Sequence, residues 1–314
     1  MKFHSSSDSE DTSTNAAVPT SVGTQGRPWQ GLLYACLAVF FFSTSPVFIR
    51  LASPFTSVEI AFWRLAIAAL LVLLLGLITR QSLRLSPGEL LRFVFYGLVT
   101  ALHFIFYIAS LSFTTIAHSL AIVYTSPIFV ALFSALVLRE SLPVRKYVGI
   151  AVAVIGVAFM AGFEPHYTAC QPQEGHCMLL GDGLALLSAI CYGIYSIAGR
   201  GERDRHPLFR YTFYVYGLAA LWLLPVMLYF AFRHAYPLPA LGAVIALGVL
   251  PLGLGHTLYN ASLRTLHATY ANLIATQEVT GGILLGILWL HEIPSLTASI
   301  GVIITLLGII SVLL

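Results

Sequence analysis

The chain has 314 residues, of which 9% are charged and 58% hydrophobic, with a mean hydropathy of +0.87. A soluble domain carries roughly a quarter charged residues, so this composition excludes an ordinary water-soluble globule and makes lipid the solvent. The net charge of +3 comes from basic residues scattered singly, with no continuous basic patch, which excludes a nucleic-acid partner and ties the charge to membrane topology.

Residues 1–28 are rich in Ser, Thr, Asp, Asn and Pro and nearly free of large aliphatic side chains. They cannot bury enough surface to fold and are expected to form a disordered cytoplasmic tail. Lys2 is followed by polar residues rather than an apolar core, so no cleaved signal peptide is expected. Beyond the tail, long apolar runs do not alternate as barrel strands do, and several reach the roughly 20 residues that a 30 Å hydrocarbon core requires. Cut at polar, Pro and Gly punctuation, they give ten expected membrane helices: 31–49, 58–78, 90–111, 116–138 and 147–163, then 180–199, 208–232, 240–260, 269–290 and 298–314.

The two sets of five match each other. A shift of 152 positions superimposes Tyr107 on Tyr259, Ala109-Ser110-Leu111 on Ala261-Ser262-Leu263, Glu140 on Glu292, Gly149 on Gly301 and Gly156 on Gly308. A shift of 150 brings Gly31 onto Gly181 and Arg50 onto Arg200. The fold expected is therefore an all-α integral membrane protein of ten transmembrane helices in two repeats, 29–163 and 180–314, joined by an extracytoplasmic loop at 164–179. Five helices per repeat is an odd number, so the second copy is inserted upside down. Such inverted repeats give transporters inward- and outward-open states of similar energy. Threading from a cytoplasmic tail places Arg80, Arg84, Arg92, Arg139, Arg145, Lys146, Arg200, Arg203, Arg205, Arg210 and Arg264 on the cytoplasmic side with Lys2 and Arg27, and leaves Arg50 and Arg233 outside. Both termini are expected in the cytoplasm of a multi-pass plasma (bacterial inner) membrane protein.

The stretch ASLSFTTIAHSLAIVYTSPIFVALFSALVLRESLPVRKYVGIAVAVIG from Ala109 to Gly156, its echo from Ala261 to Gly308, the pair Gly181-Asp182 and the run Phe62-Trp63-Arg64-Leu65 resemble the EamA-like branch of the drug/metabolite transporter superfamily. The resemblance covers residues 31–314. It implies a monomer of two inverted five-helix repeats around a central cavity, and export of amino acids or other small metabolites. The family's ninth helix often reads Glu-Pro where this chain reads Glu278-Val279, whereas Pro127 stands at the equivalent place in the fourth helix. A proline kink is thus expected in the first repeat and is not carried by the sequence in the second.

Candidate substrate-binding residues are the polar groups inside apolar spans. Glu278, amid the ninth, is expensive in lipid and so faces the bundle interior, either as a proton or amine site or as an acid bonded to a neighbouring helix. Tyr270 and Gln277, seven apart on the same helix, map by the shift onto His118 and Thr125, so either cross-repeat substrate contacts or plain interhelical hydrogen bonds account for them. His103 and Tyr107 on the third helix, and His256 and Asn260 on the eighth, are pairs four apart that each line one face. Tyr192, Tyr195, Tyr211 and Tyr214 either stack on a flat or cationic substrate or belong to interfacial belts. Ser43-Thr44-Ser45-Pro46 interrupts the first helix, either as a break that lines a cavity or as a plain proline kink satisfied by neighbouring hydroxyls. Arg64 either snorkels to the interface, the favoured reading, or attracts a carboxylate in the outer vestibule, and Glu140 and Glu292 are read as capped or hydrated helix ends ahead of gates.

No HExxH, clustered Cys/His, GxSxG or Walker loop is present, so no metal, cofactor or enzymatic activity is expected. The function expected is secondary transport, as an exporter of amino acids or related amines by alternating access, with protons as a coupling ion. The alternatives are an intramembrane enzyme and a membrane receptor or scaffold.

Two predictions follow from this topology. Variants Arg80→Cys, Arg145→Cys and Arg203→Cys, on a background lacking the native cysteines, are expected to resist an impermeant thiol reagent in intact cells; labelling from outside overturns the orientation. Cys170 and Cys177 share the outward loop, where an oxidising compartment permits a disulfide, while Cys36 and Cys191 sit within helices as thiols. Mass spectrometry after alkylation without reductant is expected to leave Cys170 and Cys177 unmodified, and alkylation of both disproves the bond.

Overall fold

The computed structural model describes residues 28–113, 116–161, 177–231, 235–290 and 296–314, and every regular element among them is helical. In chain order these are α1 (Pro28–Phe42), α2 (Ser45–Leu51), α3 (Ser57–Ile78), α4 (Pro87–Phe113), α5 (Ile116–Val123), α6 (Ser126–Phe133), α7 (Val144–Ala161), α8 (Cys177–Gly201), α9 (Leu208–Phe230), α10 (Leu238–Leu247), α11 (Thr257–Ser262), α12 (Ala268–Ala275), α13 (Glu278–Leu290) and α14 (Leu296–Leu313). Two π-helical segments, Ser134–Leu138 after α6 and Gly248–His256 between α10 and α11, complete the set.

Seven spans among the described residues are long and apolar enough to cross a membrane: Pro28–Leu51, Ser57–Ile78, Pro87–Phe113, Ser119–Leu138, Leu180–Gly201, Leu208–Phe230 and Leu238–Ser262, with a shorter apolar helix at Ser299–Val312. The other expected spans are helical too, as α7, as α12 with α13, and as α14. The tail before Pro28, Arg233, Glu292 and the loop residue Cys170 lie outside the described residues, and so do the side chains of His118 and Cys177. Helix α8 begins at Cys177, ahead of the boundary expected at 180.

Local sequence sets the helix starts. Thr56 accepts from the Glu59 amide while the Glu59 carboxylate accepts from the Thr56 amide, a reciprocal capping box that opens α3. Ser86 and Glu89 build half of the same device before α4, with the Glu89 carboxylate accepting from the Ser86 amide at 3.2 Å and its hydroxyl at 2.7 Å.

Three expected spans are broken rather than continuous, at Ser43-Thr44, Tyr124-Thr125 and Thr276-Gln277. Pro46 and Pro127, each the second residue after a break, remove an amide donor from the ladder. The third break has no proline, so the kink absent from the sequence reading of Glu278-Val279 is present all the same. Hydroxyls explain the common form: Thr44, Thr125 and Thr276 each donate 2.7 Å bonds to the carbonyl three residues back, and Ser43 to the one four back. Such back-bonding bends a helix without exposing its carbonyls to lipid.

The repeats meet along matched surfaces. A β-carbon on Gly156 of α7 would lie 2.4 Å from the backbone nitrogen of Thr305 on α14, and one on Gly308 of α14 would lie 2.4 Å from that of Ala153 on α7. Gly308 and Thr305 are the 152-shifted mates of Gly156 and Ala153, so the contact is self-complementary, as a two-fold axis demands. Gly149 approaches Ser311 and Val312, so neighbours rise on α14 as they fall on α7 and the two helices run antiparallel. Gly217 near Ala69 and Gly76 near Phe209 give α3 and α9 the same antiparallel relation. Likewise α4 packs on α8, and its mirror pairing sets α1 against α11 and the π segment.

Gly156→Ala forces a β-carbon into that backbone contact and is expected to cost about 1–3 kcal/mol. Gly183→Ala, where nothing lies within 4 Å, is its helix-matched control. A melting midpoint in detergent that falls for the first and not the second is the expected outcome.

Candidate functional site

The broken helices converge. Ser45 opens α2, Tyr124 stands in the turn between α5 and α6, and Glu278 opens α13, and all three line one cavity with Arg64, His103, Tyr107, Tyr192 and His256. Aromatic and aliphatic walls come from Phe42, Phe104, Leu120 and Val123. The free space is about 30 Å³, enough for about two water molecules.

Each polar group arrives by a definite route. Glu278 is 8% exposed, and its carboxylate accepts a hydrogen bond from the Tyr124 hydroxyl across the two repeats. A second link, from the Ser126 hydroxyl to Asn272 Oδ1 at 3.0 Å, braces the same helix pair. His103 and Tyr107 share one face of α4. His103 Nδ1 lies 3.1 Å from the Ser188 carbonyl, which only accepts, so the network assigns the proton to Nδ1. Ser188 returns a bond to the His103 carbonyl at 3.0 Å. Tyr192 stacks on the His103 ring at 4.8 Å and 15°, which fixes the imidazole plane. His256 ends the π segment, its ring 4.5 Å from Phe42 and 5.1 Å from Phe104, and its Nδ1 is buried without a hydrogen-bond partner.

Arg64 corrects the snorkelling reading. It is 1% exposed, its guanidinium carbon lies 4.5 Å above the Phe104 ring, and it lines the same cavity as Glu278. The cause is its place on the buried stripe Ala61, Leu65 and Ala68, whereas Trp63 takes the exposed face. That stripe is the signal in the sequence that identifies an inward arginine. Glu59 does not reach it, because its carboxylate is occupied by Thr56 and by the Tyr236 hydroxyl.

Of the residues singled out in the sequence, Glu278, His103, Tyr107, His256 and Tyr192 line the cavity. Tyr195 and Asn260 form the layer next to it: Asn260 donates to the Tyr195 hydroxyl and to the His256 carbonyl, and Tyr195 stacks on Tyr192. Tyr270, Gln277 and Thr125 do not line it. Tyr270 sits two turns before Glu278, about 12 Å along the helix, and its hydroxyl accepts from Lys146 Nζ at 3.0 Å. Gln277 accepts from the Thr280 hydroxyl, and Thr125 is spent on its own turn. Tyr211 and Tyr214 pack on Phe93 instead of the cavity. Ser45, Tyr124 and Arg64 are the polar lining residues missing from the candidate list.

Tyr195 and Tyr259 pack on Tyr192 of the cavity wall, and Tyr216 lies 3.5 Å from Thr257 in the wall of a vestibule of about 870 Å³, lined also by Arg203, Arg205 and Arg264 on the face with the basic loops. Here Glu140, read as a helix-end cap, pairs with Arg200 through two 3.2 Å contacts and with Arg203 at 3.7 Å, joining the first half of the chain to the second. His267 lies between them: its Nδ1 accepts from the Thr269 amide, so Nε2 donates to the Glu140 carbonyl. Burial holds that imidazole below its usual pKa range, in keeping with the neutral tautomer. Arg92 and Tyr96 hold Glu202 at 2.9 and 3.0 Å on the same face. Among the described residues no group of His, Cys, Asp and Glu has the form of a metal site.

Comparison with known proteins agrees with this architecture. Residues 29–162 and 179–314 each match the EamA-like transporter family. Over 223 residues the chain is 30% identical to the pseudopaline exporter CntI of Pseudomonas aeruginosa, covering 71% of this chain and 74% of that one. It is 27% identical over 203 residues to an uncharacterized transporter of Archaeoglobus fulgidus, 65% of this chain and 69% of the other. One crystal structure superposes with a TM-score of 0.74 over 90% of this chain and 95% of its own, and at 18% identity it shows the fold alone. A multi-pass helical membrane protein with two family-matched halves and broken helices around an interior polar cavity, this chain belongs to the EamA-like transporter family of the drug/metabolite transporter superfamily.

Proposed function

We propose that the protein is a secondary transporter that exports small metabolites, amino acids or related amines, by alternating access. Ten membrane helices form two inverted five-helix repeats, with both termini in the cytoplasm of a bacterial inner membrane and the monomer as the working unit. The observation that carries this reading is the buried acid, Glu278, in a cavity made where three broken helices meet. The antiparallel, self-complementary contact of α7 with α14 supports the inversion, and the exporter similarity at 30% identity supports the direction.

Glu278 is the proton site in this mechanism. Its repeat mate is Ser126, so one titratable carboxyl serves a pseudo-symmetric pair of helices. With the cavity open to one side Glu278 takes a proton from water, and with it open to the other it releases that proton in exchange for the amine of the cargo. Tyr124, donating from the opposite repeat, ties the protonation of Glu278 to the distance between the repeats.

Glu278→Gln preserves size and hydrogen bonding and removes the charge. In proteoliposomes with an imposed pH gradient, the variant is expected to fold and to lose the pH dependence of metabolite flux. A folded variant with the wild-type pH profile makes Glu278 structural and ends the proton-site reading. Absence of metabolite flux from wild-type proteoliposomes across a metabolite panel ends the transport reading itself.

A further inference from the structure

The central cavity contains a cation that the reading so far leaves without a task. Arg64 is 1% exposed, in a helix that crosses the bilayer, and its Nε and Nη1 have no hydrogen-bond partner. A guanidinium carries five donors and remains charged inside proteins, so such a group needs an acceptor. Glu278 lines the same cavity and accepts from Tyr124, but its carboxylate makes no hydrogen bond with Arg64 Nε or Nη1. Phe104 offers only the face of its ring.

Other polar groups of the same lining also lack partners. The Ser45 and Tyr107 hydroxyls and His256 Nδ1 are also buried without a well-formed hydrogen bond, and all three line the cavity beside Arg64. Buried polar atoms in folded proteins are nearly always paired, and a cluster of exceptions around one cavity marks where a ligand supplies the missing partners. Two N–H groups of a guanidinium, flanked by hydroxyl donors, suit an oxyanion.

We propose that Arg64 anchors a carboxylate of the transported metabolite, so that the cargo carries a carboxylate as well as the amine assigned to Glu278. This assignment rests on the transport reading for its meaning and on the unpartnered guanidinium for its chemistry. It makes Arg64 a specificity-determining residue: amines without a carboxylate leave the guanidinium unpaired and are rejected.

The test uses acetate, among the smallest carboxylates, and reads the melting midpoint of the purified protein at constant ionic strength. Acetate is expected to raise the wild-type midpoint saturably. Arg64→Gln is expected to lose that response, and Glu278→Gln to keep it. Arg64→Lys retains the charge but lacks the planar donors, and half-saturation is expected to weaken about tenfold or more; this variant decides the matter if Arg64→Gln does not fold. No acetate response in the wild type, or the same response in the Arg64 variants, overturns the proposal. Because the readout is binding, an Arg64-dependent acetate response in a protein that moves no metabolite overturns transport and leaves the anchor standing, while flux with no such response does the reverse.

Discussion

Hydrocarbon offers no hydrogen bonds, and that constraint governs the three helix breaks described above. A span that breaks in lipid must satisfy its own carbonyls and amides, at a cost of several kcal/mol for each group left bare. At Ser43-Thr44, Tyr124-Thr125 and Thr276-Gln277 the hydroxyls bond back to their own turn, and the polar side chains released there point into shared space rather than into lipid. The site exists because the breaks exist. Continuous helices at these places would seal the interior with apolar side chains, as α7 and α14 do where they meet through Gly149, Gly156 and Gly308.

The two kinds of contact divide the labour. Glycine surfaces hold α7 to α14 at backbone distance, a dry and rigid joint far from the cavity residues. Hydrogen-bonded and ionic contacts join the halves elsewhere: Tyr124 to Glu278 at the cavity, Arg200 to Glu140 and Arg92 to Glu202 at the basic face. The molecule therefore has a backbone-packed seam and a hydrogen-bonded, ionic one.

Much of the fold was legible in the sequence, because hydropathy locates spans and a constant shift of 152 pairs Gly with Gly and Glu with Glu. The acid at Glu278 and the pair His103 and Tyr107 were legible for the same reason, since polarity amid apolar neighbours marks an interior face. What failed was depth and direction. Tyr270 and Gln277 share one helix face, but seven residues span two turns, and the Tyr270 hydroxyl accepts from Lys146 at the helix end. Arg64 looked interfacial by its distance from the helix start, yet its rotational position among Ala61, Leu65 and Ala68 turns it inward. The break at Thr276 carried no proline and was set by a threonine hydroxyl together with a contact from the other repeat, which no local pattern encodes.

The smallness of the central cavity bears on what the membrane loses while the protein is idle. Space for about two waters, with the buried rings of Tyr195 and Tyr259 packed on Tyr192 in its wall, is too short to hold a file of water molecules the length of a membrane span. Protons hop along such files, and a break of a few ångströms of aromatic side chain interrupts the relay. The interior acid and arginine thus share a space of a few water molecules rather than a continuous aqueous pore.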